Sequence, residues 1–212
     1  GLIFEPNEGT RIGLNYTSKI DLNFDDSLRL FNANPIYRPL DGTGTKLDVT
    51  VPQTVMLSLY QKINSRLAML ASAGWQEWSE LGRVYVQLDT DNQREKDLDA
   101  GYDDTWHISV GGQYQATDKL LWNIGVAYDS SAVSDNKRSW ILPMQEAYRL
   151  GTGVTYALDK TIDLNFSYAL VWMGDMNISQ TKQLPLGDPA QVSGSFDEAW
   201  IQAFSGSVTW RF

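Results

Sequence analysis

Residues Trp106–Asp129 read WHISVGGQYQATDKLLWNIGVAYD. In an extended chain successive side chains point to opposite faces, so Trp106, Ile108, Val110, Gly112 and Tyr114 share one face, and His107, Ser109, Gly111, Gln113 and Gln115 the other. Past Thr117 and Asp118, a turn pair, Leu120, Trp122, Ile124, Val126 and Tyr128 alternate with Leu121, Asn123, Gly125, Ala127 and Asp129. This is a hairpin with one apolar face and one small or polar face. Ile162–Trp172 repeats the pattern, setting Ile162, Leu164, Phe166, Tyr168, Leu170 and Trp172 against Asp163, Asn165, Ser167, Ala169 and Val171.

Further strands are expected at Thr10–Phe24, Lys46–Gln61, Arg66–Trp78, Ala147–Ala157 and Glu198–Phe212. The phase of Lys46–Gln61 is ambiguous, because Val55, Leu57 and Leu59 form one apolar set and Met56, Ser58 and Tyr60 another. By analogy with Tyr114 before its turn, Tyr60 is expected outward; Pro52, which cannot donate to a ladder, marks an irregularity. Short connections (Glu5–Gly9, Lys62–Ser65, Thr117–Asp118, Leu158–Lys160) alternate with long polar ones (Asp25–Thr45, Ser79–Asp104, Ser130–Glu146, Gly174–Asp197). Outer-membrane barrels have this two-sided rhythm of short periplasmic turns and long extracellular loops. Their apolar residues face outward, with Trp and Tyr gathering at the two interfaces; the chain has 8 Trp and 10 Tyr. The fold class expected is all-β: a transmembrane antiparallel β-barrel, with 1–212 as a single barrel segment. A secreted glycan-binding β-sandwich is the soluble alternative.

Composition excludes other classes. The net charge of -9 disfavours nucleic-acid binding, and no apolar run reaches the roughly 20 residues of a membrane-spanning helix. Cysteine is absent, which removes disulfides and thiolate chemistry. The opening GLIFEPNEGT has no basic and apolar leader, so any export signal lies outside this sequence.

GTRIGLNYTSKIDLNF (9–24), VPQTVMLSLYQKINSRLAMLASAGWQEWSE (51–80), DTWHISVGGQYQATDKLLWNIGVAYDSS (104–131) and YRLGTGVTYALDKTIDLNFSYA (148–169) together resemble the FadL-type family of long-chain fatty-acid and hydrocarbon transporters. The resemblance implies a barrel of about 14 strands, of which these are the C-terminal eight or nine, plugged by an N-terminal hatch upstream of Gly1. It implies passive uptake of hydrophobic compounds across the bacterial outer membrane, without enzymatic activity or cofactors. The implied partners are fatty acids or hydrocarbons, outer-membrane lipid and lipopolysaccharide, and the barrel insertion machinery, which would read the terminal Phe212. A general porin or structural barrel is the alternative. Strand parity bears on this: Gly1–Phe4 and Glu198–Phe212 run the same way and cannot be a closing antiparallel pair, so either further strands lie upstream or the stub is not a strand and the eight full segments close by themselves.

Candidate ligand contacts follow from phase. Arg11, Lys19, Arg149 and Arg211 fall on the lumen side and could meet a carboxylate, Arg bidentately. The competing reading pairs them internally with Asp21, Asp129 or Asp163. Trp140, Ile141 and Leu142, with Phe31, Ile36, Tyr37, Leu40 and Met144, could form an apolar capturing groove in the long loops; the competing reading packs the loops against one another. His107, the single histidine, is read as a polar lumen residue and not as a hydrolase base. The acidic run Asp89–Asp104 lacks the Gly and Glu of a calcium-binding EF-hand loop, since Arg94 and Ala100 occupy those places.

Overall fold

The computed structural model describes residues 1–32, 34–81, 83–88, 94–138, 144–182 and 190–212. Nine strands form one antiparallel sheet: β1 (Leu2–Asn7), β2 (Thr10–Thr17), β5 (Thr54–Lys62), β6 (Leu67–Gln76), β9 (Thr105–Thr117), β10 (Leu120–Asp129), β11 (Ala147–Ala157), β12 (Ile162–Lys182) and β13 (Ala190–Trp210), in that spatial order. Gly1–Phe4 therefore opens a strand, the first in this order.

A parity problem is solved locally in the β9–β10 hairpin. Thr117 faces Leu120, and continuing that register would place even residues of β9 opposite odd ones of β10. A shift between Leu120 and Leu121 corrects it, so Trp122 faces Tyr114, Val126 faces Val110 and Asp129 faces His107. One slipped residue thus brings both apolar sets to the same face.

That face is exposed across the whole sheet. One row across it reads Ile108, Tyr128, Tyr148, Trp172 and Trp200; another reads Gly112, Ile124, Thr152, Tyr168 and Phe204. Phe204 is 78% exposed and Phe166 61%. Among the described residues only Ala68, Ala132, Val133, Ala147, Met176 and Ile178 are buried hydrophobics, too few for a water-soluble core. A sheet with an apolar outer face and hydrogen-bonded strands meets the requirement of a hydrocarbon solvent. Tyr128 packs on Tyr148 with ring centroids 5.1 Å apart, and Tyr148 on Trp172 at 5.7 Å, forming the outer aromatic belt. Tyr156 lies eight residues below Tyr148 on the same face, about 26 Å along the strand, which matches an apolar band of about 25 Å.

The short turns share one device: a side-chain oxygen caps backbone N–H groups. Asn7 Oδ1 accepts from Gly9 N, Asn64 Oδ1 from Arg66 and Leu67 N, Thr117 Oγ1 from Lys119 and Leu120 N, and Asp159 Oδ1 from Thr161 and Ile162 N.

Three expectations are corrected. Thr10–Phe24 and Lys46–Gln61 are each two strands, because the hairpin is interrupted at Ser18–Lys19 and Pro52–Gln53. The outer halves, β3 (Ile20–Ser27) and β4 (Gly44–Val51), resume pairing without slip: Thr17 faces Thr54 below the gap and Ile20 faces Val51 above it. Secondly, Leu57 and Leu59 share the lipid face with Leu14 and Ile12, while Tyr60 points to the lumen beside Arg11, reversing the expected phase. The two apolar sets are equivalent within β5 and only its partner decides between them. Thirdly, the long connections carry strands. β7 (Arg83–Leu88) and β8 (Arg94–Asp99) join β3 and β4 in a four-stranded outer sheet, and β12 and β13 each run 21 residues, well past the membrane. The sequence RVYVQL of β7 does alternate, but a highly charged neighbourhood hides it.

At the outer end Arg138, 1% exposed, ties the segment after β10 to β12: its guanidinium donates to Asp135 and Gln145 side chains and to the Met144 and Asn177 carbonyls.

Candidate functional site: a recess in the lumen wall

On the inner face one row reads Arg11, Tyr60, Leu70, Gly111, Gly125, Gly151, Ala169 and Ala203 across successive strands. Three adjacent glycines leave the wall without side chains and hollow out a recess of about 650 Å³. Its far side is apolar, from Ile3, Tyr60 and Leu70; Arg11 and Arg149 are its charged lining residues. Gly151 differs from its neighbours in one useful way. A Cβ on Gly111 would come within 2.9 Å of the Ile124 carbonyl and one on Gly125 within 3.2 Å of Val110's, whereas one on Gly151 would meet nothing within 4 Å. Polar lumen side chains pair across strands, as Ser72 does with Ser109 and Thr155 with Asn165.

The four phase-selected cations have different settings. Arg149 sits on the recess with its Nε 2.8 Å from Asp129 Oδ2, and His107 Nδ1 is 2.8 Å from Asp129 Oδ1. Arg11 pairs with Glu5 at 2.8 Å and lies over the Tyr60 ring, 5.5 Å from its centroid. Arg211 pairs with Asp163 just past the end of β13, remote from the recess, and Lys19 lies in the interruption between β2 and β3, 3.8 Å from Glu80. Arg149 and Arg211 thus have the carboxylate partners weighed from sequence; Glu5 and Glu80 were not foreseen. Trp140, Ile141 and Leu142 lie outside the described residues. In the outer hairpin tip Phe31 is 86% exposed and Tyr37 57%. Asp104 accepts from Trp75 Nε1 and from the Ser79 hydroxyl, so this member of the acidic run serves the strand ends; Asp89–Gln93 are outside the described residues. The recess itself was missed: its signal, a Gly on each of three successive strands, needs the register to be seen.

The chain matches, over residues 1–212, the family model described as outer membrane protein transport protein (OMPP1/FadL/TodX). Outer membrane protein P1 of Haemophilus influenzae is 28% identical over 177 residues, covering 79% of this chain and 36% of that protein. The long-chain fatty acid transport protein of Escherichia coli K12 is 27% identical over 182 residues, covering 79% and 40%. Among solved structures, a Pseudomonas aeruginosa FadL homologue superposes with a TM-score of 0.81 at 22% identity over 98% of this chain and 50% of its own. The Pseudomonas putida toluene transporter TodX gives 0.59 at 16%, covering 99% and 47%. The chain spans half or less of the length of these proteins, and the superpositions establish the barrel fold. With an exposed apolar outer face, aromatic belts and a match over its full length, the chain belongs to the OMPP1/FadL/TodX family of bacterial outer-membrane transport proteins.

Proposed function

We propose that this chain is part of the wall of a channel for passive uptake of hydrophobic compounds, such as long-chain fatty acids or aromatic hydrocarbons, across the outer membrane. The observation that carries the reading is the glycine-floored recess: largely apolar, of small-ligand size, and on the lumen side of a lipid-embedded sheet. The named relatives, a fatty acid transport protein and a toluene transporter, support the same substrate class. The exposed Phe31 and Tyr37 at the outer tip suit first capture, where apolar surface in water marks a binding patch. No covalent step is needed, and no cofactor. The outer belt of Tyr128, Tyr148, Trp172 and Trp200 would border lipopolysaccharide, and the exposed Phe212, two residues after Trp210, suits recognition by the insertion machinery.

Gly151→Leu tests the reading, because Gly151 lines the recess and a Cβ added there meets nothing within 4 Å. Binding and uptake of a labelled long-chain fatty acid by the intact protein should fall about tenfold or more, with thermal stability little changed. Unchanged uptake, with free passage of small hydrophilic solutes, would replace the transporter by a porin.

A further inference from the structure

Asp129 ends β10 at the outer rim of the recess, and its two oxygens are held from opposite sides. Oδ1 takes a hydrogen bond from His107 Nδ1 on β9; a carboxylate only accepts, so Nδ1 carries the proton. Oδ2 lies 2.8 Å from Arg149 Nε on β11. This second contact is an ion pair without hydrogen-bond alignment, and Oδ2 is buried with no hydrogen-bond donor. The three residues come together through the register, His107 facing Asp129 and Arg149 facing Ala127 one row below.

The charge contact to Asp129 is made at Arg149 Nε. A guanidinium has five donors in a planar fork, and the two terminal nitrogens keep four of them. Those nitrogens belong to a side chain that lines the recess and is 52% exposed, whereas Asp129 is 24% exposed and His107 21%. A long Arg side chain left free would lose rotamer entropy on meeting a ligand; one already held at Nε has less to lose. Arg11, the other cation of the recess, has its guanidinium stacked on Tyr60 and its Nε on Glu5, which leaves Arg149 the better-placed anion receptor.

We propose that Asp129, steadied by His107, is a positioning residue that fixes Arg149 so that its outer edge reads an anionic headgroup in the recess. It thereby sets a preference for carboxylated amphiphiles over neutral molecules of the same length. This rests on the uptake reading above and adds what that reading leaves open, the headgroup. The opposite role for Asp129 is also chemically simple: a carboxylate beside Arg149 could merely cancel its charge, and its removal would then improve anion binding.

The test is equilibrium binding of a long-chain fatty acid and of the fatty alcohol of equal length to the intact protein in detergent. Wild type should prefer the acid. Asp129→Ala should lower the acid-over-alcohol preference about tenfold, with alcohol affinity unchanged, and Asp129→Glu should restore most of it. His107→Phe should give a smaller loss in the same direction. If Asp129→Ala does not fold, Asp129→Asn, which keeps the shape and removes the charge, serves in its place. Tighter acid binding in Asp129→Ala, or equal loss for both ligands, overturns the positioning role. Equal wild-type affinity for acid and alcohol overturns it too while leaving the uptake reading intact; failure of wild type to bind either ligand removes the uptake reading itself.

Discussion

At the scale of single residues, orientation on the strand outweighs chemistry. Ile124 and Asn123 are neighbours on β10, yet Ile124 lies in a mid-height row of the lipid face with Thr152, Tyr168 and Phe204, and Asn123 lies in the lumen opposite Gln113 and Gly153. Ile124→Arg should destabilise the folded barrel by about 2–4 kcal/mol, since a cation there meets hydrocarbon. Asn123→Arg, which meets water, should cost far less. Denaturant titration in lipid or detergent checks the pair, and equal tolerance would mean that the faces are inverted. The faces were legible wherever one set of alternate residues was apolar and the other was not, as in β9, β10 and β12. They were not legible in β5, where Leu57 and Tyr60 argued for opposite phases, nor could pairings such as Lys19 with Glu80 be read without coordinates. The His107–Asp129 contact was within reach, since 22 residues separate them across one tight turn. Without the shift at Leu120 and Leu121, however, His107 would face Ser130, and no residue pattern announces that slip.

At the scale of elements, each short turn depends on one capping oxygen, and the β11–β12 turn carries a titratable one. Asp159 accepts from the Thr161 amide at 2.7 Å, the Thr161 hydroxyl at 2.8 Å and the Ile162 amide at 2.9 Å. Those bonds, the Thr161 amide first, hold its carboxyl below the usual carboxylate range, with Lys119 adding to the effect. A depressed folded-state pKa stabilises the turn above the unfolded-chain value, and this contribution disappears as pH falls through the depressed value. The β11–β12 turn should therefore loosen in acid below the ordinary carboxylate pKa. Asp159→Asn should weaken that acid dependence while keeping a cap, and Asp159→Ala should loosen the turn at every pH. Amide chemical shifts of Thr161 and Ile162 followed through an acid titration give the answer; shifts that track a normal carboxylate would contradict it. The turns themselves were plain in the sequence, because Asn, Asp, Gly and Lys cluster there. The strands above the membrane were not, because outside hydrocarbon a strand need not show a clean apolar face.

At the scale of the whole molecule, lipid-embedded wall and outer sheet are joined through a hairpin interrupted at the same height on both strands, at Ser18–Lys19 and Pro52–Gln53. Pairing is conserved on either side: Thr17 with Thr54 and Ile20 with Val51. The interruption was legible only as an irregular proline; that its partner strand would break opposite it was not, since Ser18 and Lys19 carry no comparable signal. Ser18 and Lys19 amides should exchange with deuterium orders of magnitude faster than those of Leu14 and Leu57, because they lack ladder partners. Uniformly slow exchange along β2 and β3 would show a continuous ladder instead. Mechanically, the matched gaps form a knee. Side chains take over there from backbone rungs: Gln53 accepts from the Tyr16 hydroxyl and donates to Glu77, and Lys19 pairs with Glu80, so the joint between rim and shaft is fastened by groups that substitution can alter one at a time.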